Sequence, residues 1–162
     1  MRERRSPDFV SLHPGHVLTV FFALAILVAT AAFGLTARTH VPPAAIGIAN
    51  SFIDRINFGD LSEAYSLTRR DAAVGESLGD FDAKLRRQLA IDAFPLHRSV
   101  TFVGIRNGGQ SYGNRIRRWL SGSKVDPDVV DLDYMFGLPF EIRLASDARG
   151  TWRVVFFQSH AS

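Results

Sequence analysis

The sequence predicts an α+β fold behind a single membrane-spanning helix, and three observations predict it. Val17 to Ala37 carries no charge, apolar residues at helical spacing fill the stretch from Ala45 to Leu89, and after Pro95 the apolar period drops from 3.6 to 2. Helices followed by antiparallel strands make an α+β domain, not the alternating α/β pattern. A chain of 162 residues suffices for one core of ordinary size plus an appendage, and 46% apolar residues with thirteen Phe supply that core.

The first element, VLTVFFALAILVATAAFGLTA, is twenty-one residues long. At 1.5 Å per residue it spans roughly 30 Å, the thickness of one bilayer core. Arg2, Arg4 and Arg5 precede it and only Arg38 closely follows. The positive-inside bias therefore leaves 1–16 as a cytoplasmic segment and exports everything after Arg38. A cleavable signal peptide ending near Ala29-Thr30-Ala31 is the alternative, and it would release a secreted domain. The apolar run continues through Phe33 and Leu35, which favours an uncleaved anchor over 17–37. The expected location is the bacterial inner membrane, single-pass, with the C-terminal domain periplasmic or otherwise extracytoplasmic.

Residues 38–44 read as a linker, because Pro42 and Pro43 stiffen it and disfavour helix in the residues before them. The exported domain then occupies 45–162. Its first helix carries Ile48, Ala49, Phe52, Ile53 and Ile56 on one stripe and ends at Gly59, where a positive φ is allowed. Asp60 is placed to N-cap a second helix running from Leu61 to about Arg70, with Glu63 at capping-box spacing and Leu61, Ala64, Tyr65 and Thr68 inside. A third helix aligns Leu78, Phe81, Leu85 and Leu89 before Pro95.

Strand alternation follows at Val100 to Ile105, Val130 to Phe136, Phe140 to Leu144 and Thr151 to Gln158. The last strand is expected to carry Trp152, Val154 and Phe156 on one face. It is joined to its predecessor by a hairpin turn over Ser146 to Gly150.

An export anchor, a helix ending in Asn57-Phe58-Gly59-Asp60 and resuming as Leu-Ser-Glu-Ala-Tyr, a short third helix, and a sheet closing with Gly150-Thr151-Trp152-Arg153-Val154-Val155 resemble the NTF2-like superfamily over about Ala45 to Gln158. The resemblance implies a cone of about three helices on a curved antiparallel sheet, usually with a pocket. Members of the superfamily include isomerases, dehydratases, binding proteins and membrane-anchored assembly factors, and some dimerise through their sheets. The fold by itself leaves the function open.

A ketosteroid-isomerase-like site needs a hydroxyl donor and a carboxylate facing one apolar cavity. Tyr134 and Tyr65 are the candidate donors, but Asp131 and Asp133 lie on the opposite strand face and Asp54 points off its helix stripe. Gly75-Glu76-Ser77-Leu78-Gly79 has the spacing of a nucleophile elbow without the preceding strand the elbow requires, so Ser77 reads as a turn or cap residue. Asp126, Asp128, Asp131 and Asp133 lack the Gly and the closing Glu of a calcium loop and read as a solvated strand face. The five His residues show no ligand spacing, so neither metal nor cofactor is expected.

In GNRIRRWLSGSK, Arg115, Arg117, Arg118 and Lys124 surround Trp119, with Tyr112 nearby. Basic residues with an interleaved aromatic suit single-stranded nucleic acid. Nineteen basic against sixteen acidic residues leave only +3, however, and an exported domain does not meet nucleic acid. Arg115, Arg117, Arg118 and Trp119 therefore read as an interaction patch for a membrane interface or a partner groove. The expectation is a protein that binds envelope proteins, as a component or assembly factor of a complex, with a homodimer allowed. A small apolar ligand in a cone pocket is the alternative.

Overall fold

The computed structural model describes residues 14–37 and 39–159, which separate into two compact units at position 38. The first is a single helix, α1 (Pro14–Ala37), 24 residues long and apolar all round. It begins three residues ahead of the expected Val17, with Pro14 at its first position, where a missing N–H costs nothing. Among the described residues no helix is long and apolar enough to cross a membrane. The α1 side chains described are the seventeen from 18 to 34, about 25 Å of helix at 1.5 Å per residue. The expected span, 17–37, runs past them at both ends. Arg2, Arg4, Arg5 and Arg38, whose charges set the expected orientation, lie outside the described residues, as does most of the 1–16 segment.

The second unit is α+β, with helices packed on an antiparallel sheet. In chain order it contains β1 (Thr39–His40), α2 (Pro43–Phe58), α3 (Leu61–Ser66), α4 (Leu78–Leu89), β2 (Thr101–Asn107), β3 (Gln110–Ser111), α5 (Tyr112–Leu120), β4 (Val129–Met135), β5 (Pro139–Ser146) and β6 (Trp152–Ser159). Strands β2, β4, β5 and β6 form the main sheet in the order β2-β4-β5-β6, every pair antiparallel. The stretch expected to be a linker is largely built in. Thr39 pairs with Ser111 and His40 with Gln110, Val41 and Pro42 are buried, and Pro43 opens α2.

Helix α2 buries Ala45, Ala49, Phe52, Ile53 and Ile56, the predicted stripe with Ala45 in place of the half-buried Ile48. Gly59 stops it at φ +83°. The Asp60 amide donates to the Arg55 carbonyl at 2.8 Å and the Gly59 amide to that of Ile56 at 3.1 Å, the paired closure that a left-handed glycine permits. The capping box expected at Asp60 and Glu63 does not form, because the Asp60 carboxylate turns back to the Arg55 guanidinium at 3.3 Å.

Helix α3 ends at Ser66 instead of near Arg70, since Thr68 leaves it to bridge Val154 on the edge of β6. The Arg69 amide donates to the Val154 carbonyl at 2.9 Å, and the Val154 amide to that of Leu67 at 3.0 Å. The capping box sits at α4 instead. Ser77 Oγ accepts from the Asp80 amide at 3.1 Å, and the Asp80 carboxylate accepts from the Ser77 amide at 3.2 Å. Ser77 is thus a cap, as its context suggested. Gly75 just before it, at φ +128°, tolerates no side chain, because a Cβ would lie 2.6 Å from the Phe81 amide nitrogen.

Val130, Leu132, Tyr134 and Phe136 point inward from β4 and its exit, as do Phe140, Ile142 and Leu144 from β5. Strand β6 departs from strict alternation. Arg143 pairs with Phe156 but Leu144 with Val154, so Val155 is an extra residue and the phase shifts by one. Phe156 therefore moves to the outer face and Phe157 takes the core position at 0% exposure. The preceding hairpin forms as predicted. Gly150 has φ +81°, and Asp147 Oδ1 accepts from the amides of Arg149 at 2.8 Å and Thr151 at 2.9 Å.

The centre is aromatic. Phe52, Phe81 and Phe157, from α2, α4 and β6, form a triangle with ring centroids 6.1, 5.8 and 5.7 Å apart, and Phe140 joins Phe157 at 6.0 Å. Replacing Phe81 by Ala is expected to remove about 3–5 kcal/mol of stability. Ser77→Ala, which breaks one end of α4, should cost about 1 kcal/mol. Denaturant unfolding followed by circular dichroism measures both, and a cost for Phe81→Ala no larger than that for Ser77→Ala would contradict this description of the core.

Candidate functional site

The two tyrosines named as pocket donors are not brought to one cavity. Tyr134 faces inward from β4 at 2% exposure, with its ring 5.4 Å from that of Phe102. Its hydroxyl donates to Asn50 Oδ1 at 2.8 Å, which ties β4 to α2. Burial raises its pKa to about 12, and the Asp54 carboxylate adds to the rise. Tyr65 lies against Phe81 at 5.4 Å, and its hydroxyl reaches the carbonyls of Glu76 at 2.7 Å and Gly75 at 3.2 Å. It closes the loop ahead of α4. Sequence reasoning missed Asn50, whose only signal is that it stands four residues before Asp54 on the same side of α2.

Of the acidic run expected on a solvated strand face, Asp131 and Asp133 lie on β4 and meet arginines, while Asp126 and Asp128 precede the strand and pair with Arg115 and Lys124. Asp131, 2% exposed, accepts two bonds from Arg143, at 2.6 and 3.0 Å. Arg106 spans Glu141 at 3.0 Å and Asp133 at 3.2 Å, and Gln158 also donates to Glu141, at 3.1 Å. Antiparallel register sets Asp131 opposite Arg143 and Asp133 opposite Glu141, and the arginines neutralise what would otherwise repel. Among the described residues no group of three or more His, Cys, Asp or Glu could hold a metal ion.

The interaction patch falls on α5, a helix of nine residues capped by Ser111, whose Oγ accepts from the Asn114 amide at 3.2 Å. Tyr112, Ile116, Trp119 and Leu120 recur at i, i+4, i+7 and i+8 and are 44%, 54%, 70% and 72% exposed. No residue of α5 is buried. The four patch residues separate into roles. Arg115 turns inward to pair with Asp126, while Trp119 and Arg117 stay at the surface and Arg117 donates to Asn114 Oδ1 at 3.0 Å. Arg118 lies half-buried within 3.0 Å of the Gln110 side-chain amide, as an oxygen acceptor there satisfies both groups. Ile116 and Leu120 were missed, because without a helix over 112–120 nothing in the sequence aligns them with Trp119.

His40 of β1 packs edge-on against Tyr112 at 5.4 Å, with Nε2 3.9 Å from the Asp126 carboxylate. Its pKa is lowered, first by burial and then by the Arg115 charge, with Asp126 opposing. A shallow hollow of about 200 Å³ lies between Tyr112, Arg115, Ile116, Trp119 and Val125. A second, of about 310 Å³, lies between Arg69, Ser146, Asp147, Thr151 and Arg153 at the far edge of β6. Neither includes Tyr134 or Tyr65.

No family model matches the chain, and it matches no curated protein and no solved structure.

Because the folded state holds the Tyr134 proton beyond its ordinary pKa, that contribution to stability is complete below pH 10 and is lost as pH rises towards about 12. Tyr134→Phe should abolish this alkaline loss and cost about 0.5–1.5 kcal/mol at pH 7, through the missing hydrogen bond. Phenolate absorbance and denaturant midpoints between pH 8 and 12 test it. A wild-type Tyr134 that ionises near pH 10 would show that its hydroxyl is open to water.

Proposed function

We propose that this chain is a single-pass membrane protein, anchored by 17–37 in a bacterial inner membrane, whose exported domain binds protein partners as a component or assembly factor of an envelope complex. We read that domain as an NTF2-like cone, on the helix joint at Gly59, the three helices α2 to α4 over the sheet and the closing Trp152 strand. The uncharged run of twenty-one residues with Arg2, Arg4 and Arg5 before it supports the anchor and its orientation.

One observation carries the non-catalytic reading. The interior where a superfamily pocket would lie is filled by Phe52, Phe81, Phe140 and Phe157, each at most 1% exposed. The hydroxyls of Tyr134 and Tyr65 are already bonded to Asn50 and to the loop before α4. Tyr112, Ile116, Trp119 and Leu120 of α5 stand exposed along one side of that helix with Arg117 at the surface, and contact with a large surface is what such a face does. The same observation counts against a ketosteroid-isomerase-like site, which needs an open apolar cavity with a donor aimed into it.

Gentle detergent extraction of the C-terminally tagged chain from its own membranes, followed by intact-mass analysis, tests the proposal. The expected result is a chain that retains 17–37 together with a stoichiometric protein partner. A processed chain that purifies alone would overturn it.

A further inference from the structure

We propose that the hollow at the far edge of β6 binds the phosphate of a small soluble phosphomonoester, with the guanidinium groups of Arg69 and Arg153 as its two forks. The site shares no residue with the α5 face and gives the domain a small-molecule function beyond partner binding. Four segments meet there: Arg69 from the chain after α3, Ala145 and Asp147 from the end of β5 and its turn, Thr151 just ahead of β6, and Arg153 and Val155 from β6 itself.

Two departures from regular structure build the hollow. Helix α3 stops at Ser66 because Thr68 bridges Val154, and the bonds on either side of that bridge, from the Arg69 amide at 2.9 Å and to the Leu67 carbonyl at 3.0 Å, hold Arg69 beside β6. The bulge then inserts Val155 between the residues that pair with Arg143 and Leu144, and a bulge re-aims the side chain at its position. Val155 joins the wall of the hollow, as does Ala145, which pairs with Arg153 across the ladder and is small enough to leave the space open. That space, about 310 Å³, is at the lower end for small-ligand sites and larger than a phosphate group needs, so the body of the ester shares it.

Both arginines keep donors to spare. The Arg69 side chain is 64% exposed and approaches Asp71 only to 3.8 Å, beyond hydrogen-bond length. Arg153 gives one N–H to the Ser66 carbonyl at 3.2 Å, one of the five its guanidinium carries. Asp147, the carboxylate on the wall, is taken up by its own turn. The Thr151 amide above all, with the Arg149 amide and the charges of Arg149 and Arg153, holds its carboxyl below the usual carboxylate range. Arg69, Arg149 and Arg153 outnumber Asp71 and Asp147, so these charges sum to a positive surplus. A carboxylate has two oxygens and is satisfied by one fork, whereas a phosphomonoester presents three and close to two charges, which two guanidiniums from different segments share. Thr151 brings a hydroxyl to the same wall.

The test titrates the full chain, purified in a maltoside detergent at low salt, with glucose 6-phosphate, inorganic phosphate and glucose, followed by isothermal calorimetry. Glucose 6-phosphate should bind, inorganic phosphate more weakly, and glucose not at all. Arg69→Gln should weaken binding of the ester roughly tenfold or more, and Arg69→Lys, which keeps the charge without the fork, severalfold. The Arg69 side chain is largely in water, so both variants should keep the wild-type denaturant midpoint. Arg87→Gln, which removes the same charge from an exposed position on α4, should leave binding unchanged. No binding of the ester up to about 10 mM, or an equal loss in the Arg69 and Arg87 variants, would overturn the proposal. Inorganic phosphate binding as tightly as the ester would overturn it in favour of a free-anion site. Binding only of phosphatidic acid mixed into the micelles would overturn it in favour of a lipid headgroup.

Discussion

Phe52, Phe81 and Phe157 meet in a triangle with centroids no more than 6.1 Å apart, and most of the second unit follows from that contact. Each ring comes from a different element, so the triangle fixes α2 and α4 against β6, the edge strand of the sheet. Each fully buried ring contributes roughly 2–3 kcal/mol before entropy is counted, and edge-to-face geometry adds to that. It also explains the bulge at Val155. Strict alternation would aim Phe156 inward and leave Phe157 outside, whereas one extra residue seats Phe157 at the centre and releases Phe156 to lie beneath Arg143 on the outer face, 5.6 Å from its guanidinium.

A filled interior governs the polar groups around it. Tyr134 and Tyr65 keep their hydroxyls at the rim of the aromatic cluster, where Asn50 and the carbonyls of Gly75 and Glu76 satisfy them. These bonds are structural, joining α2 to β4 and α3 to the start of α4. On the other face of the sheet, Asp131 and Glu141 are almost fully covered, yet each has an arginine within 3.0 Å. Charged side chains at such depth persist only when paired, so this face reads as a built network and not as a solvated acidic strand.

Helix α5 stands outside this arrangement, with no buried residue, inward ties through Arg115, Arg118 and the His40 contact with Tyr112, and its apolar stripe in the open. The α2–α4 layer over the sheet is complete without it. It is an appended amphipathic helix whose apolar residues stay outside the buried core.

The sequence by itself determined the elements whose signals are local. Helical periodicity over Ala45 to Leu89, the stop at Gly59, the cap at Ser77, the hairpin at Gly150 and the strands from Val129 onward depend on neighbours a few residues apart, and they are legible as such. The candidate patch was visible as composition, since Arg and Trp cluster in GNRIRRWLSGSK. Only the tertiary structure decided features that arise between distant segments: the early end of α3 as Thr68 pairs with Val154, the pairing of Thr39 with Ser111, the exchange of Phe156 for Phe157, and the arginines that meet Asp131 and Glu141. It likewise placed Ile116 and Leu120 beside Trp119 and spent the tyrosine hydroxyls on Asn50 and the loop before α4. The physical reason is one of range. Propensity, capping and period act within a turn or a pleat, whereas register, bulges and buried polar pairing minimise the energy of contacts between residues tens of positions apart.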